Sequence, residues 1–177
     1  MSNLVVLNTV RFIFLYLIQI LFLKRLSLLD WQGFIFVNAL IYPLFILMLP
    51  IRTPRMVILL TAFLMGLMVD FSYDTYGLNA ACNVLTAGAR PYILAWFEPR
   101  EGYNVNHSPS IGHMGATWFF RYTAILMGIH IFAYYWLDAF SHVYIISILT
   151  KTFFTFIFSM FFISVIVLIF PKSAKKS

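Results

Sequence analysis

Long apolar runs separated by short polar connections make up most of the chain. A helix needs about 20 mainly apolar residues to cross a bilayer, and six runs approach that length. The pattern therefore predicts an all-α integral membrane protein, a compact bundle of six transmembrane helices. The predicted spans cover about residues 4–23, 33–49, 56–73, 78–97, 117–137 and 144–170. A basic tail, 171–177, follows, and residues 1–177 are predicted to form a single transmembrane domain.

Two of the connections carry clear turn signals. "LPIRTPR" is predicted to be a tight turn between the second and third spans, because Pro50 and Pro54 end and restart helices. The stretch 98–116, "EPREGYNVNHSPSIGHMGA", is rich in Gly, Pro, Ser and Asn and is predicted to be an extramembrane loop. The first run is too long for a signal peptide and has no small-x-small cleavage site, so we expect it to remain as the first span.

Composition supports the membrane assignment. Hydrophobic residues make up 62% of the chain and charged residues only 10%, whereas soluble domains carry about 25% charged residues. The mean hydropathy is +0.90. Cys82 is the single cysteine, which excludes an intrachain disulfide. The formal charge of +6 does not indicate nucleic acid binding, because the cations lie at span ends and in the tail.

The distribution of basic residues predicts the orientation. Placing both termini in the cytoplasm puts most of the cations on the cytoplasmic side, as the positive-inside rule requires: Arg52, Arg55, Arg100, Lys172, Lys175 and Lys176. The opposite side then carries Asp70, Asp74 and Asp138. Lys24 and Arg25 are the exceptions, since they also fall on the external side.

The segment "DFSYDTYG" connects the third and fourth spans and contains two acidic residues, Asp70 and Asp74. One interpretation is a structured external corner that shapes the bundle mouth or meets a partner. The other is a solvated helix end in which Asp74 and Thr75 cap the turn. Gly77 supplies the backbone freedom that such a turn needs.

Polar residues within the first span share one helical stripe. Asn8, Arg11 and Gln19 fall on one face, because eleven residues make nearly three turns. Arg11 then either extends its charged end to the interface while Gln19 contacts a helix, or the stripe docks a neighbouring helix.

The third and fourth spans each carry a stripe that favours close packing. In the third span Ala62, Gly66 and Asp70 recur at intervals of four, and small residues at that spacing let helices approach closely. The stripe of the fourth span contains Asn83, Ala87 and Arg90, followed by Pro91. We expect the two stripes to face each other or the bundle centre.

Depth decides which charged residues can pair. Arg90 lies on the order of 18 Å from the external start of its helix, so a direct contact with Asp70 is not expected. Lys151, early in the last span, lies nearer the right level. We predict a Lys151–Asp70 or Lys151–Asp138 pair; the alternative is that Lys151 extends outward to the interface.

The sequence contains no His-Glu-x-x-His pair, no Gly-x-Ser-x-Gly elbow and no phosphate-binding glycine-rich loop. We therefore expect no catalytic residues, no metal and no cofactor. An intramembrane enzyme that uses Asp70 with His130 is a weaker alternative, because it requires those groups within hydrogen-bond reach.

Several segments resemble the rod shape-determining protein MreD family, in the form found in Bacteroidetes-type bacteria. The matching segments are "RFIFLYLIQILFL", "YPLFILMLP" with "PR", "FLMGLMVDFSYDTYGLNAA", "ARPYIL", "YTAILMGIHIF" and "LDAFS". The most specific part is the aspartate corner with Thr75, Gly77 and Leu78, followed by Arg90-Pro91. The similarity extends over nearly the whole chain.

The resemblance implies a non-enzymatic scaffold of the bacterial inner membrane that acts in cell elongation and peptidoglycan synthesis. It implies direct binding to MreC and association with RodA and the elongation-specific penicillin-binding protein, with an indirect link to MreB. It also implies a fold similar to the substrate-binding subunits of energy-coupling-factor transporters.

That fold similarity raises an alternative function, a transporter subunit that binds a small vitamin-like ligand. Such a site needs a central pocket with convergent polar groups, which Asn83, Arg90 and Gln19 would supply. An enclosed cavity of ligand size would favour this alternative, and a bundle packed by Phe and Met would oppose it.

Overall fold

The computed structural model describes residues 2–27, 38–104, 106–140 and 142–169, and the regular structure within these ranges is helical. The α-helices are α1 (Ser2–Ile18), α2 (Lys24–Ser27), α3 (Leu44–Leu47), α4 (Arg55–Tyr73), α5 (Leu78–Trp96), α6 (Ile111–Met114), α7 (Ala116–Ala139) and α8 (Ile145–Ile169). A π-helical turn, Gln19–Leu23, joins α1 to α2, and a 3-10 turn, His142–Tyr144, precedes α8.

Among the described residues, three helical segments are long and apolar enough to cross a membrane: Val6–Leu23, Arg55–Tyr73 and Ile145–Ile169. These segments agree with the first, third and last predicted spans. Helices α5 and α7 agree with the fourth and fifth predicted spans to within two residues at each end. The chain is therefore a helical protein with membrane-spanning character.

The prediction of a helix over 33–49 is wrong for the part of this run that the structure describes. Residues 38–43 are not helical, and only the four residues of α3 form an α-helix. Residues 33–37 lie outside the described ranges. Hydropathy detected the burial of this segment correctly, because Leu40 to Leu47 are at most 4% exposed apart from Pro43, which is also buried.

Side chains from other helices form hydrogen bonds with the backbone N–H and C=O groups of this non-helical segment. The Gln19 carboxamide donates to Ala39 O (3.0 Å) and accepts from Ile41 N (2.9 Å). The Leu40 N–H donates to Ser159 Oγ at 2.8 Å. Irregular backbone at membrane depth requires such partners, since lipid offers none.

The buried segment 38–47 lies at the centre, and the long helices pack around it. Helix α5 packs against α4 on one side and α7 on the other, and α7 packs against α8. Helix α1 contacts α3 and α4. The centre is filled by side chains with no exposed surface, among them Tyr42, Met65, Tyr122 and Leu126.

Contacts between connecting segments and helix ends mark the two ends of the bundle. At one end the Ile51 N–H donates to His107 O at 3.2 Å. At the other end Lys24 Nζ donates to Ser72 O and lies 5.5 Å from the centre of the Tyr73 ring. A lysine is favourable at this position, because it is the carbonyl end of α4.

The long loop is fastened to the end of α5. The Tyr103 hydroxyl donates to Leu94 O at 2.9 Å, and Trp118 Nε1 donates to Phe97 O at 3.0 Å. Burial raises the pKa of Tyr103 to about 12. The predicted extramembrane loop is thus held against the bundle by side chains at both of its ends.

Candidate functional site: the Asp70 corner

The Asp70 carboxylate joins α4 to the start of α5. Its Oδ1 accepts hydrogen bonds from Thr75 Oγ1, Asn79 N (2.9 Å) and Asn79 Nδ2 (3.0 Å), and its Oδ2 accepts from Ala80 N (2.9 Å). Asp70 is only 2% exposed. These four bonds give a buried carboxylate the solvation that water would otherwise supply.

Two of these bonds make Asp70 the cap of α5. Gly77 occupies the N-cap position in a left-handed conformation (φ 82°) and has no side chain to accept from the first turn. The Asp70 carboxylate accepts instead from the N–H groups of Asn79 and Ala80. A negative charge at a helix N-terminus is also favourable to the helix dipole. An acidic residue of one helix therefore completes the next.

Asp74 and Thr75 have different roles in the turn. Asp74 ends α4 in a left-handed conformation (φ 56°), and its N–H donates to Asp70 O. Its side chain is exposed. Thr75 directs its hydroxyl to the Asp70 carboxylate. Of the two predicted capping residues, Asp74 contributes its backbone and Thr75 its side chain.

Gly66 allows the closest approach between α4 and α5. A Cβ atom at Gly66 would lie 2.4 Å from Ala80 Cα, 2.6 Å from Ala80 N and 2.7 Å from Asn79 O. These neighbours are backbone atoms and cannot rotate away. One turn further, Asn83 Nδ2 donates to Ala62 O at 2.8 Å. The stripes of the third and fourth predicted spans thus face each other.

A chain of buried hydrogen bonds leads from the corner into the bundle. The Tyr42 hydroxyl bonds to Asn79 Oδ1 (3.0 Å) and to His130 Nε2 (2.8 Å). His130 Nδ1 lies 2.8 Å from Thr86 Oγ1. All four side chains are at most 1% exposed. Asp70 and His130 are therefore linked through Asn79 and Tyr42 rather than by a direct contact.

Proton counting gives this chain one consistent direction. Because Asn79 Nδ2 donates to Asp70, its Oδ1 is free to accept the Tyr42 proton. The Tyr42 oxygen then accepts from a protonated Nε2 of His130. The Thr86 hydroxyl, which has a single proton, lies 2.8 Å from both His130 Nδ1 and Cys82 O. From His130 to Asn79 each donor points towards Asp70, so these dipoles reinforce one another at the carboxylate. An amide at Asn79 interrupts any simple proton relay, which speaks against the Asp70–His130 enzyme alternative.

Replacing Tyr42 by phenylalanine tests this chain. The substitution leaves Asn79 Oδ1 and His130 Nε2–H buried without their shared partner. We expect the free energy of unfolding to fall by about 2–4 kcal/mol, since each unsatisfied buried group costs about 1–3 kcal/mol. Unfolding of the protein in mixed detergent micelles measures this change.

Tyr92 provides the matched control because it is 70% exposed. Tyr92→Phe should leave the unfolding free energy unchanged. Nitrogen-15 NMR of His130 adds an independent measurement, with protonated Nε2 expected in the wild type. An equal effect of the two substitutions, or a proton on Nδ1, would contradict the directed chain.

Arg90 lies at the other end of the bundle and supports α3. Its Nη2 donates to Leu49 O, and its Nε donates to Tyr122 Oη at 3.2 Å. Tyr122 in turn donates to Leu47 O at 3.2 Å. These bonds satisfy carbonyls at and just after the end of the short helix. Pro91 follows within α5, where its missing N–H removes one helical bond.

Polar residues of the first predicted span form hydrogen bonds with other parts of the same chain. Gln19 is fully buried against the segment 39–41 and also donates to Tyr73 Oη at 2.9 Å. Arg11 Nη1 donates to Met48 O at 3.4 Å. Arg11 and Gln19 of the stripe thus face an internal segment of the same protein, residues 39–48.

The predicted Lys151–Asp70 pair is wrong. The partners of the Asp70 carboxylate are Thr75, Asn79 and Ala80, and the backbone of α5 already occupies both of its oxygens. The Lys151 ammonium lies 6.0 Å from the centre of the Tyr135 ring. Hydrogen bonds from the start of α5, rather than a cation, accommodate the charge of Asp70. The Lys151–Asp138 pair stays a prediction.

The interior part of the site consists of Tyr42, Asn79, Thr86 and His130, and sequence reasoning named only His130 of these four. Two signals pointed to it: a histidine in the middle of a span, and an asparagine two residues after Gly77. Neither signal identifies a partner, because the partners come from three different segments. Among the described residues, no group of three or more His, Cys, Asp or Glu side chains is arranged to hold a metal ion.

Comparison with known proteins does not assign this chain to a family. No family model matches the chain, and neither a curated protein nor a solved structure is significantly similar to it.

Proposed function

We propose that this protein is a non-enzymatic membrane scaffold of the MreD type, acting in cell elongation and peptidoglycan synthesis. In this proposal it binds MreC directly, associates with RodA and the elongation-specific penicillin-binding protein, and connects indirectly to MreB. The sequence segments that resemble the MreD family motivate the partners. The filled and hydrogen-bonded interior is the structural observation that supports a scaffold.

Most interior polar groups are engaged by the protein itself, with Asn83 Oδ1 and Thr123 Oγ1 among the buried atoms that have no partner. Gln19 bonds to the segment 39–41, Asn83 to Ala62 O, and Arg90 to the end of α3. These are the residues that a vitamin-like ligand would need to meet in one place. Because they serve three separate parts of the bundle, the arrangement favours the scaffold over the transporter subunit.

We further propose six membrane crossings in the bacterial inner membrane, with both termini in the cytoplasm. The segment 38–49 then makes the second crossing as a buried and mostly non-helical segment. Arg52 and Arg55 lie at the Arg90 end together with the long loop, which the positive-inside rule places in the cytoplasm. The Asp70 corner then faces outward.

The corner presents a surface on which a partner can bind. Tyr76 is fully exposed between two residues that fix the turn, and Phe71 is 77% exposed on the last turns of α4. The Asp74 carboxylate lies beside them and is also exposed. Aromatic residues on a rigid backbone are typical of contact sites. We place the MreC contact here.

Site-specific photo-crosslinking tests this assignment. A photoreactive amino acid at position 76 should capture MreC in native membranes, and mass spectrometry of the purified adduct identifies what is captured. The same probe at position 56 is the control, since Met56 is equally accessible (78% exposed) but starts α4 at the opposite end.

The outcomes separate the two functions. MreC captured at position 76 and not at 56 supports the scaffold and its orientation. MreC co-purification without either adduct moves the contact to another surface. Co-purification of cytoplasmic ATPases and a membrane coupling subunit, with no wall-elongation protein, overturns the scaffold in favour of the transporter subunit.

A further inference from the structure

A pocket of about 490 Å³ opens between the start of α4 and the end of α5. Its lining includes Thr53, Arg55, Arg90, Tyr92, Glu98 and Tyr103. It lies at the end of the bundle opposite to the Asp70 corner. The scaffold proposal assigns no role to this pocket.

Arg90 forms part of the inner wall of the pocket with a charge that its known partners do not neutralise. The side chain is 1% exposed, and its two hydrogen bonds go to a carbonyl and a phenol oxygen, both neutral. A guanidinium has five N–H donors, so these bonds leave others available. A buried cation facing a cavity favours an anion in that cavity.

The start of α4 adds to the positive potential. Its N-cap is Pro54, which makes no side-chain capping bond, and the first turn begins at Arg55 beside the pocket. The free N–H groups of a helix N-terminus favour a phosphate or another anion. Arg55 is exposed and therefore available to a ligand. Thr53 contributes a hydroxyl at the same rim.

Aromatic residues place the pocket at the level of the lipid headgroups. Tyr92, which lines it, and Trp96, one turn further, are 70% and 74% exposed. Exposed Tyr and Trp on membrane helices concentrate at the interface. The anion that is abundant at this depth is phosphate.

We propose that this pocket binds a phosphate group at the membrane interface, held by Arg90, Arg55 and the start of α4. Arginine suits this task because its planar fork matches two phosphate oxygens. The Glu98 carboxylate also lines the pocket and opposes an anion there, so the proposal requires the two arginines and the helix start to outweigh it. The ligand is either an anionic lipid headgroup or a soluble phosphate compound.

The test uses the full-length protein and two exposed arginines. Arg55→Gln removes a charge from the pocket, and Arg52→Gln removes one from the adjoining turn, outside the lining. Each protein is reconstituted in nanodiscs of equal parts phosphatidylglycerol and phosphatidylcholine. Native mass spectrometry then measures retained phosphatidylglycerol. Thermal unfolding in detergent is measured in parallel with inorganic phosphate and with chloride.

We expect Arg55→Gln to retain phosphatidylglycerol about tenfold more weakly, the effect of losing one charged hydrogen bond. Arg52→Gln should match the wild type. If inorganic phosphate stabilises the wild type and Arg55→Gln abolishes that stabilisation, the site binds a soluble phosphate compound. If phosphate has no effect but Arg55→Gln alone loses phosphatidylglycerol, the site binds a lipid headgroup. The proposal is overturned if all three proteins retain phosphatidylglycerol equally and phosphate does not stabilise any of them. It is also overturned if Arg55→Gln and Arg52→Gln lose phosphatidylglycerol to the same extent. Because the readouts do not involve MreC, the result is independent of the scaffold proposal.

Discussion

Gly66→Ala is expected to force α4 and α5 apart and to lower the free energy of unfolding by about 3 kcal/mol or more. The added methyl group would overlap the Ala80 backbone at 2.4 Å and the Asn79 carbonyl at 2.7 Å. Overpacking against movable side chains costs about 1–3 kcal/mol, and backbone atoms give way less easily. The displacement would also lengthen the bonds from Asp70 to α5. Unfolding in mixed micelles measures the loss.

Gly88 is the matched control, since it lies on the same helix pair and an added Cβ meets nothing within 4 Å. Gly88→Ala should change the unfolding free energy by less than about 1 kcal/mol, in the stabilising direction that helix propensity favours. If Gly66→Ala behaves like Gly88→Ala, the close approach of the two helices is not required for stability.

Asp70→Ala is expected to destabilise the protein by about 3–5 kcal/mol. The substitution leaves the N–H groups of Asn79 and Ala80 buried without an acceptor and removes the end point of the Tyr42–His130 chain. Each unsatisfied buried donor costs about 1–3 kcal/mol. Asp70→Asn should lower the free energy of unfolding by less than Asp70→Ala, because one acceptor oxygen remains. A loss is still expected, since the new NH2 group would face the Ala80 N–H. Hydrogen exchange at Asn79 and Ala80 should accelerate in both variants.

Asp74→Asn provides the control for charge at the same corner. Asp74 is exposed, and asparagine tolerates the left-handed conformation of this position. Its unfolding free energy should remain that of the wild type. Equal destabilisation by Asp70→Asn and Asp74→Asn would mean that the corner depends on its net charge rather than on the capping bonds.

The long helices were predictable because their boundaries depend on local chemistry. Apolar runs of sufficient length, the prolines before Arg55 and the glycine before Leu78 mark the limits of α4 and α5 within one residue. The spacing of Ala62, Gly66 and Asp70 also identified the packing face of α4. These features depend on neighbours in sequence.

The segment 38–43 was not predictable, since its backbone partners are distant in sequence. Hydropathy measures burial and cannot distinguish a buried helix from a buried irregular strand of chain. The choice depends on whether side chains elsewhere replace the helical bonds, as Gln19 and Ser159 do. The Lys151–Asp70 prediction failed for a related reason: it sought a cation for a carboxylate that backbone N–H groups already satisfy.

The bond between Leu40 and Ser159 has a consequence for the order of assembly in the membrane. Its partners are 119 residues apart, so the ribosome completes most of the protein before the acceptor exists. During that time the translocon or a water molecule must supply an acceptor for the Leu40 N–H, because lipid cannot. Arrival of α8 at the bundle then closes the last backbone bond of the central segment. A chain truncated before α8 should therefore be held at the insertion machinery, and release of the protein into the bilayer should follow synthesis of its final helix.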